Sequence, residues 1–254
     1  MGREHGHTLH YHGHSSVHRM PAHLKILALL GYTLLVVATP RETVWPYAVH
    51  LGTLAVAVRA SGVPAAYLLR RLVVEAPFAG FALLMPLVAS GPRVEVAGVS
   101  LSEAGLAGAW ALLAKGTLGV LASLLLAATT EPRDLLVGLA RLRVPRQLVE
   151  IAGFMIRYVD VIADEARRMR IARTSRGFVA RSPRQWPVLG RSVGVLFVRA
   201  YERGERVHLA MLSRGYAGSL PTGGAPAVAA GQWMAAAVLP AAALVTAAAA
   251  WRLR

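Results

Sequence analysis

Five stretches of this chain are apolar enough to be read as membrane segments. They run over about Leu24–Ala38, Val44–Val58, Leu72–Ser90, Ala104–Thr129 and Val228–Trp251. A bilayer core of about 30 Å takes about 20 mostly apolar residues in a helix. The first two stretches are short by that measure, so crossing, tilted and re-entrant forms stay open for them. The third passes through Pro77 and Pro86, and the fourth is interrupted only by Lys115. A charge inside such a segment is a functional candidate by default. It suits a protein-lined interface equally well.

Between the fourth and fifth stretches the pattern changes. Leu148, Ile151, Ala152, Met155, Val159, Ile162, Ala166 and Met169 recur at steps of three and four, with Glu150, Asp160, Asp164 and several arginines on the other faces. That is the period of an amphipathic helix, and Pro145 stands just ahead of it, a favoured helix start. After Pro187 a second such pattern follows: Leu189, Val193, Leu196, Ala200, Val207 and Met211. Amphipathic helices of this kind lie on a membrane surface or dock into a partner's groove.

Composition narrows the class. Hydrophobic residues make up 55% of the 254, charged residues 16%, and the net charge is +15. A soluble domain carries about 25% charge, so an ordinary soluble fold is excluded. Only Lys25 and Lys115 are lysines, and the other 26 basic residues are arginine. There is no cysteine, which removes disulfide scaffolds, zinc ribbons, iron–sulfur clusters and thiol nucleophiles.

The charge also orients the chain. Arg3, Arg19 and Lys25 precede the first segment, and Arg59, Arg70 and Arg71 follow the second. The first and third connections carry little net positive charge. The inside rule then puts the N-terminus and the second connection in the cytoplasm. Four crossings return residue 131 to the same side. Residues 131–227 hold 17 arginines and eight acids, a balance of +9, and belong in the cytoplasm by the same rule. The C-terminus is expected outside.

Both amphipathic helices end in nearly one phrase. The first closes Ile171-Ala172-Arg173-Thr174-Ser175-Arg176-Gly177-Phe178. The second closes Leu209-Ala210-Met211-Leu212-Ser213-Arg214-Gly215-Tyr216. The glycines suit left-handed helix ends. Each arginine sits at a negative helix terminus and offers a planar fork of donors.

On these residues the chain resembles the transmembrane T component of energy-coupling factor (ECF) importers, in particular the cobalt-importer branch named CbiQ. The signature of that family is a pair of Ala-Arg-Gly-type motifs closing two cytoplasmic coupling helices. Ser175-Arg176-Gly177 and Ser213-Arg214-Gly215 fit it with serine in the first place. Glu202-Arg203-Gly204-Glu205-Arg206-Val207 and His18-Arg19-Met20-Pro21-Ala22-His23-Leu24-Lys25 are similar to it too. The resemblance implies an all-α polytopic protein of a bacterial cell membrane, with about five transmembrane helices. Its parts would be a His-rich tail over 1–23, a four-helix membrane part over 24–130, a coupling domain over 131–227 and a last transmembrane helix over 228–254.

The resemblance further implies partners: two P-loop ATPase subunits, a membrane subunit that captures the substrate, and membrane lipid, but no nucleic acid. The two motifs would bind the ATPases. ATP and magnesium would be held there, so this chain would bind no cofactor and catalyse nothing. Consistent with that, it has no P-loop Gly-x-x-x-x-Gly-Lys-Ser/Thr stretch and so no phosphate cradle of that kind. The rival class is a membrane transferase acting on lipid headgroups through its arginines.

Seven of the nine histidines fall in the first 23 residues, at His5, His7, His10, His12, His14, His18 and His23. Imidazole suits cobalt, nickel, zinc and copper ions. The cluster tilts the expected cargo toward a transition metal, and a flexible tail without an ordered site is its plainer reading.

Overall fold

The pattern of apolar runs translates into helices nearly one for one. The computed structural model describes residues 11, 13, 15–96, 99–179, 182–217 and 228–253. They fall into two compact units, one within 7–142 and 226–254, the other within 143–225.

The first unit holds α1 (Ala22–Ala38), α2 (Trp45–Ser61), α3 (Ala65–Leu69), α4 (Ala76–Val88), α5 (Glu103–Thr129), α6 (Pro132–Arg141) and α9 (Ala230–Arg252), with a 3-10 turn at Leu72–Glu75 joining α3 to α4. Among the described residues three stretches are long and apolar enough to cross a membrane: Ala65–Val88, Glu103–Thr129 and Ala230–Arg252. The first of these starts upstream of Leu72, where hydropathy alone places it. Helices α1 and α2 have 17 residues each, about 25 Å of rise. All five apolar stretches are therefore helical, and the chain is an all-α, multi-pass membrane protein.

Helix α1 lies at the centre of this unit, against α9, α5 and α6, while α4 packs along α5 and α2 on α9 and α5. The core between them is Leu29, Tyr32, Val36, Tyr47, Leu54, Leu118, Ala122, Leu125 and Ala243. Small residues set the closest approaches, as expected where helices meet in lipid. A Cβ on Gly105 would stand 2.7 Å from the Met85 carbonyl oxygen, and one on Gly138 would stand 2.9 Å from the His23 nitrogen.

The contacts also fix which ends share a face. Lys25 donates to the Thr129 carbonyl at 2.7 Å, and the Tyr11 N–H donates to the Ala128 carbonyl at 2.9 Å. His23 meets Trp233 edge-on. At the other face Lys115 donates to the Val37 carbonyl at 2.7 Å and Trp251 to the Ala38 carbonyl at 3.0 Å. So α1 and α9 run parallel, and α5 runs against both. Lys115, the charge inside the fourth stretch, binds one of the last carbonyls of α1, which the helix itself leaves unpaired. The two lysines of the chain thus perform one job at opposite ends of the α1–α5 pair.

The third connection contains an antiparallel hairpin, β1 (Arg93–Val96) with β2 (Val99–Ser102), in which Val94 faces Leu101 and Glu95 faces Ser100. The apolar runs do not announce it. Its cue is the short alternation of charged residues and valine at 93–96.

The second unit is a helical hairpin of α7 (Arg146–Ser175) and α8 (Trp186–Leu212), joined through a 3-10 turn at Pro183–Gln185. At 30 residues, α7 is about 45 Å long. An Arg199–Glu165 ion pair ties the two helices.

Candidate functional site

Neither α7 nor α8 has a buried residue. Their apolar stripes are largely open, with Met155 at 67% and Phe197 at 69% exposure. Helices with clear amphipathic patterns and no core of their own have surface left for a partner.

The sequence-matched phrases form matched structures. Gly177 has φ 75° and Gly215 φ 83°. At the first end the Phe178 N–H donates to the Arg173 carbonyl at 3.1 Å and the Gly177 N–H to the Thr174 carbonyl at 3.0 Å. At the second end the Tyr216 N–H donates to the Met211 carbonyl and the Gly215 N–H to the Leu212 carbonyl, both at 3.0 Å. This six-to-one plus five-to-two pairing is the Schellman motif, and it requires the left-handed glycine. It fixes Arg176 and Arg214 at equivalent positions, the last before the chain reverses. Both arginines are exposed. Ser175 and Ser213 turn their hydroxyls back onto their own helices, to the Ala172 carbonyl at 3.2 Å and the Ala210 carbonyl at 3.1 Å. Serine therefore adds no outward group, and the guanidinium is what each tip presents.

The hairpin is antiparallel, so the two tips lie at its opposite ends. Their surroundings differ. The Tyr216 hydroxyl donates to Glu150 Oε2 at 2.9 Å, and Glu150 in turn pairs with Arg146 at 3.2 Å. The Tyr216 hydroxyl is held above its ordinary pKa, first by that hydrogen bond to a carboxylate. The second tip is thus latched to the start of α7. Phe178, at the matching place, has no hydroxyl to do this. The repeated phrase carries no sign of the latch, because the acceptor lies 66 residues upstream.

An apolar groove of about 740 Å³ runs from the second tip to mid-hairpin, lined by Phe154, Tyr158, Ile162, Val207 and Met211 among others. A second cleft, of about 580 Å³, lies beside the first tip, and five of its eleven lining residues are arginines. Of the i,i+4 pair Asp160 and Asp164, Asp164 is paired with Arg167 at 2.8 Å.

Of the N-terminal histidines, His5, His7, His10, His12 and His14 lie outside the described residues. His18 is engaged by Ser15 at 2.8 Å and by the Tyr11 carbonyl at 3.0 Å, and His23 is buried. Among the described residues no three His, Asp or Glu side chains come together as a metal site would need.

Known proteins resemble parts of this chain. The family model described as cobalt transport protein, CbiQ, matches residues 13–222. The cobalt transport protein CbiQ of Rhodobacter capsulatus is 33% identical over 123 residues, 48% of this chain and 50% of that protein. The energy-coupling factor transporter transmembrane protein EcfT of Limosilactobacillus fermentum is 31% identical over 129 residues, 46% of this chain and 48% of that protein. An uncharacterized protein of Methanocaldococcus jannaschii is 33% identical over 102 residues, 40% of this chain and 38% of that protein. The chain thus spans half or less of the length of these curated relatives.

Proposed function

Because the chain belongs to the CbiQ cobalt transport protein family, we propose that it is the transmembrane coupling (T) subunit of an ECF-type importer, with cobalt or nickel ions as the cargo. The observation that carries this reading is the pair of equivalent arginine tips. Two Schellman ends hold Arg176 and Arg214 at opposite ends of a hairpin that has no buried core. Each tip docks on one P-loop ATPase subunit. There the guanidinium meets acidic groups as a charge-assisted, bidentate hydrogen bond. ATP-driven closure of the two ATPases moves the tips relative to each other. The apolar stripes carry that movement to the membrane subunit that captures the ion. This chain supplies no catalytic group, and ATP and magnesium belong to the partners.

Radioactive cobalt uptake by cells that also express the partner subunits tests the reading. Loss of one side of a desolvated interfacial charge pair costs about 2–5 kcal/mol. Arg176→Ala and Arg214→Ala are each expected to insert normally and to lose most uptake. Arg→Lys at either tip rescues only part of it, because lysine lacks the planar fork. Native uptake by both alanine variants would refute the assignment.

A further inference from the structure

The cleft beside the first tip has an arginine rim and an apolar floor. Arg168, Arg173 and Arg176 from the end of α7 and Arg191 and Arg199 from the start of α8 line it, with Glu165 as its acid. Glu165 is already paired with Arg199. No carboxylate among the described residues pairs with Arg168, Arg173, Arg176 or Arg191. Four arginines with no carboxylate partner among the described residues therefore line one concavity of about 580 Å³. A cleft lined by charges of one sign focuses their field and raises the local concentration of anions. The floor between the arginines is Met169, Ala172, Val188 and Val195. Trp186, 66% exposed, stands at the start of α8 two residues from Val188.

We propose that this cleft is a binding site for the headgroup of an anionic phospholipid. The phosphate would lie among the arginines and the first acyl carbons on the apolar floor. Arginine rather than lysine is the residue for this task, because its fork matches two phosphate oxygens at once. Clusters of several cationic side chains on amphipathic helices beside membrane segments read as anionic-lipid sites, and exposed tryptophan sits at headgroup level. A carboxylate-bearing partner helix would be met by arginines along a ridge. Here they come from two helices and enclose a concave, greasy floor, which fits one compact anionic head with a tail. Arg176 also forms part of its wall, so the test of the site rests on Arg168 and Arg191, which the ATPase docking proposed above does not use.

Native mass spectrometry of the full chain, exchanged from phosphatidylcholine into graded phosphatidylglycerol, tests this. Retained phosphatidylglycerol over phosphatidylcholine is expected, and the preference should weaken with salt. Arg168→Gln with Arg191→Gln is expected to lower phosphatidylglycerol affinity by about 30-fold. Arg167→Gln, one position away but paired with Asp164, should leave it unchanged and shows that the effect belongs to the cleft. The same double variant carrying lysines should bind better than the glutamine variant, which separates lost charge from lost folding.

Three results would overturn the proposal. The native chain shows no preference for phosphatidylglycerol, or the glutamine variant keeps it in full. Glycerol 3-phosphate competes as well as the lipid, so that the site takes soluble phosphates. Finally, lipid binding is unchanged while ATPase capture falls, so that the cleft takes an acidic protein surface instead.

Discussion

At the scale of single residues, two glycines decide where two arginines point. Gly177 and Gly215 hold left-handed backbone, which costs a residue with a Cβ about 1–2 kcal/mol. Gly177→Ala or Gly215→Ala should therefore fray the adjacent helix end and re-aim the arginine beside it. Amide hydrogen exchange should rise over the last turn of α7 or α8 and stay unchanged mid-helix. Asparagine at the same position, which tolerates this backbone better, should exchange less than alanine. The Tyr216–Glu150 bond makes a second residue-scale prediction. The hydroxyl's ionisation lies above its unfolded value of about 10. Its stabilising contribution is then fully present below that value and is lost as the pH rises through the folded one. Ultraviolet titration should place Tyr216 late, and Glu150→Gln should bring it back toward the ordinary range.

At the scale of elements, what was legible in the sequence was what depends on local period. Helices α7 and α8 follow from three- and four-residue spacing, and their ends follow from the repeated Ser-Arg-Gly phrase. What was not legible depends on partners far along the chain. Lys115 reads as an isolated charge because its acceptor, the Val37 carbonyl, is 78 residues away. The latch on the second tip is hidden for the same reason, and the basic cleft emerges only when α8 folds back on α7. The β1–β2 hairpin is hidden differently, since four-residue strands are too short for a period to stand out. The Lys115 contact predicts that Lys115→Met leaves a terminal carbonyl of α1 unpaired. Polar contacts between membrane helices contribute about 0.6–2 kcal/mol. Thermal unfolding in detergent should show a loss of that order. Lys25→Met, at the opposite end of the same helix pair, should behave alike.

At the scale of the whole molecule, the faces of the first unit agree with the charge-derived topology. The ends at Ala38 and Trp251 share one face, and Lys25, Thr129 and Trp233 share the other. The C-terminal helix therefore ends with the first connection, although Arg252 and Arg254 favour the inside by charge alone. Labelling of Ser100→Cys and Ser182→Cys by an impermeant reagent in intact cells gives the absolute side. Reaction at 100 and protection at 182 are expected, and the reverse pattern would invert the assignment.

We propose that the two equivalent arginine tips each hold one ATPase subunit. This is tested most directly by capture of purified ATPase subunits on the reconstituted chain, with native, Arg176→Ala, Arg214→Ala and doubly substituted forms compared at equal membrane level. The native chain should retain two ATPase subunits, each single variant should bind them more weakly, and the double variant should retain none. Undiminished capture by the double variant, with its hairpin still helical, would contradict the account.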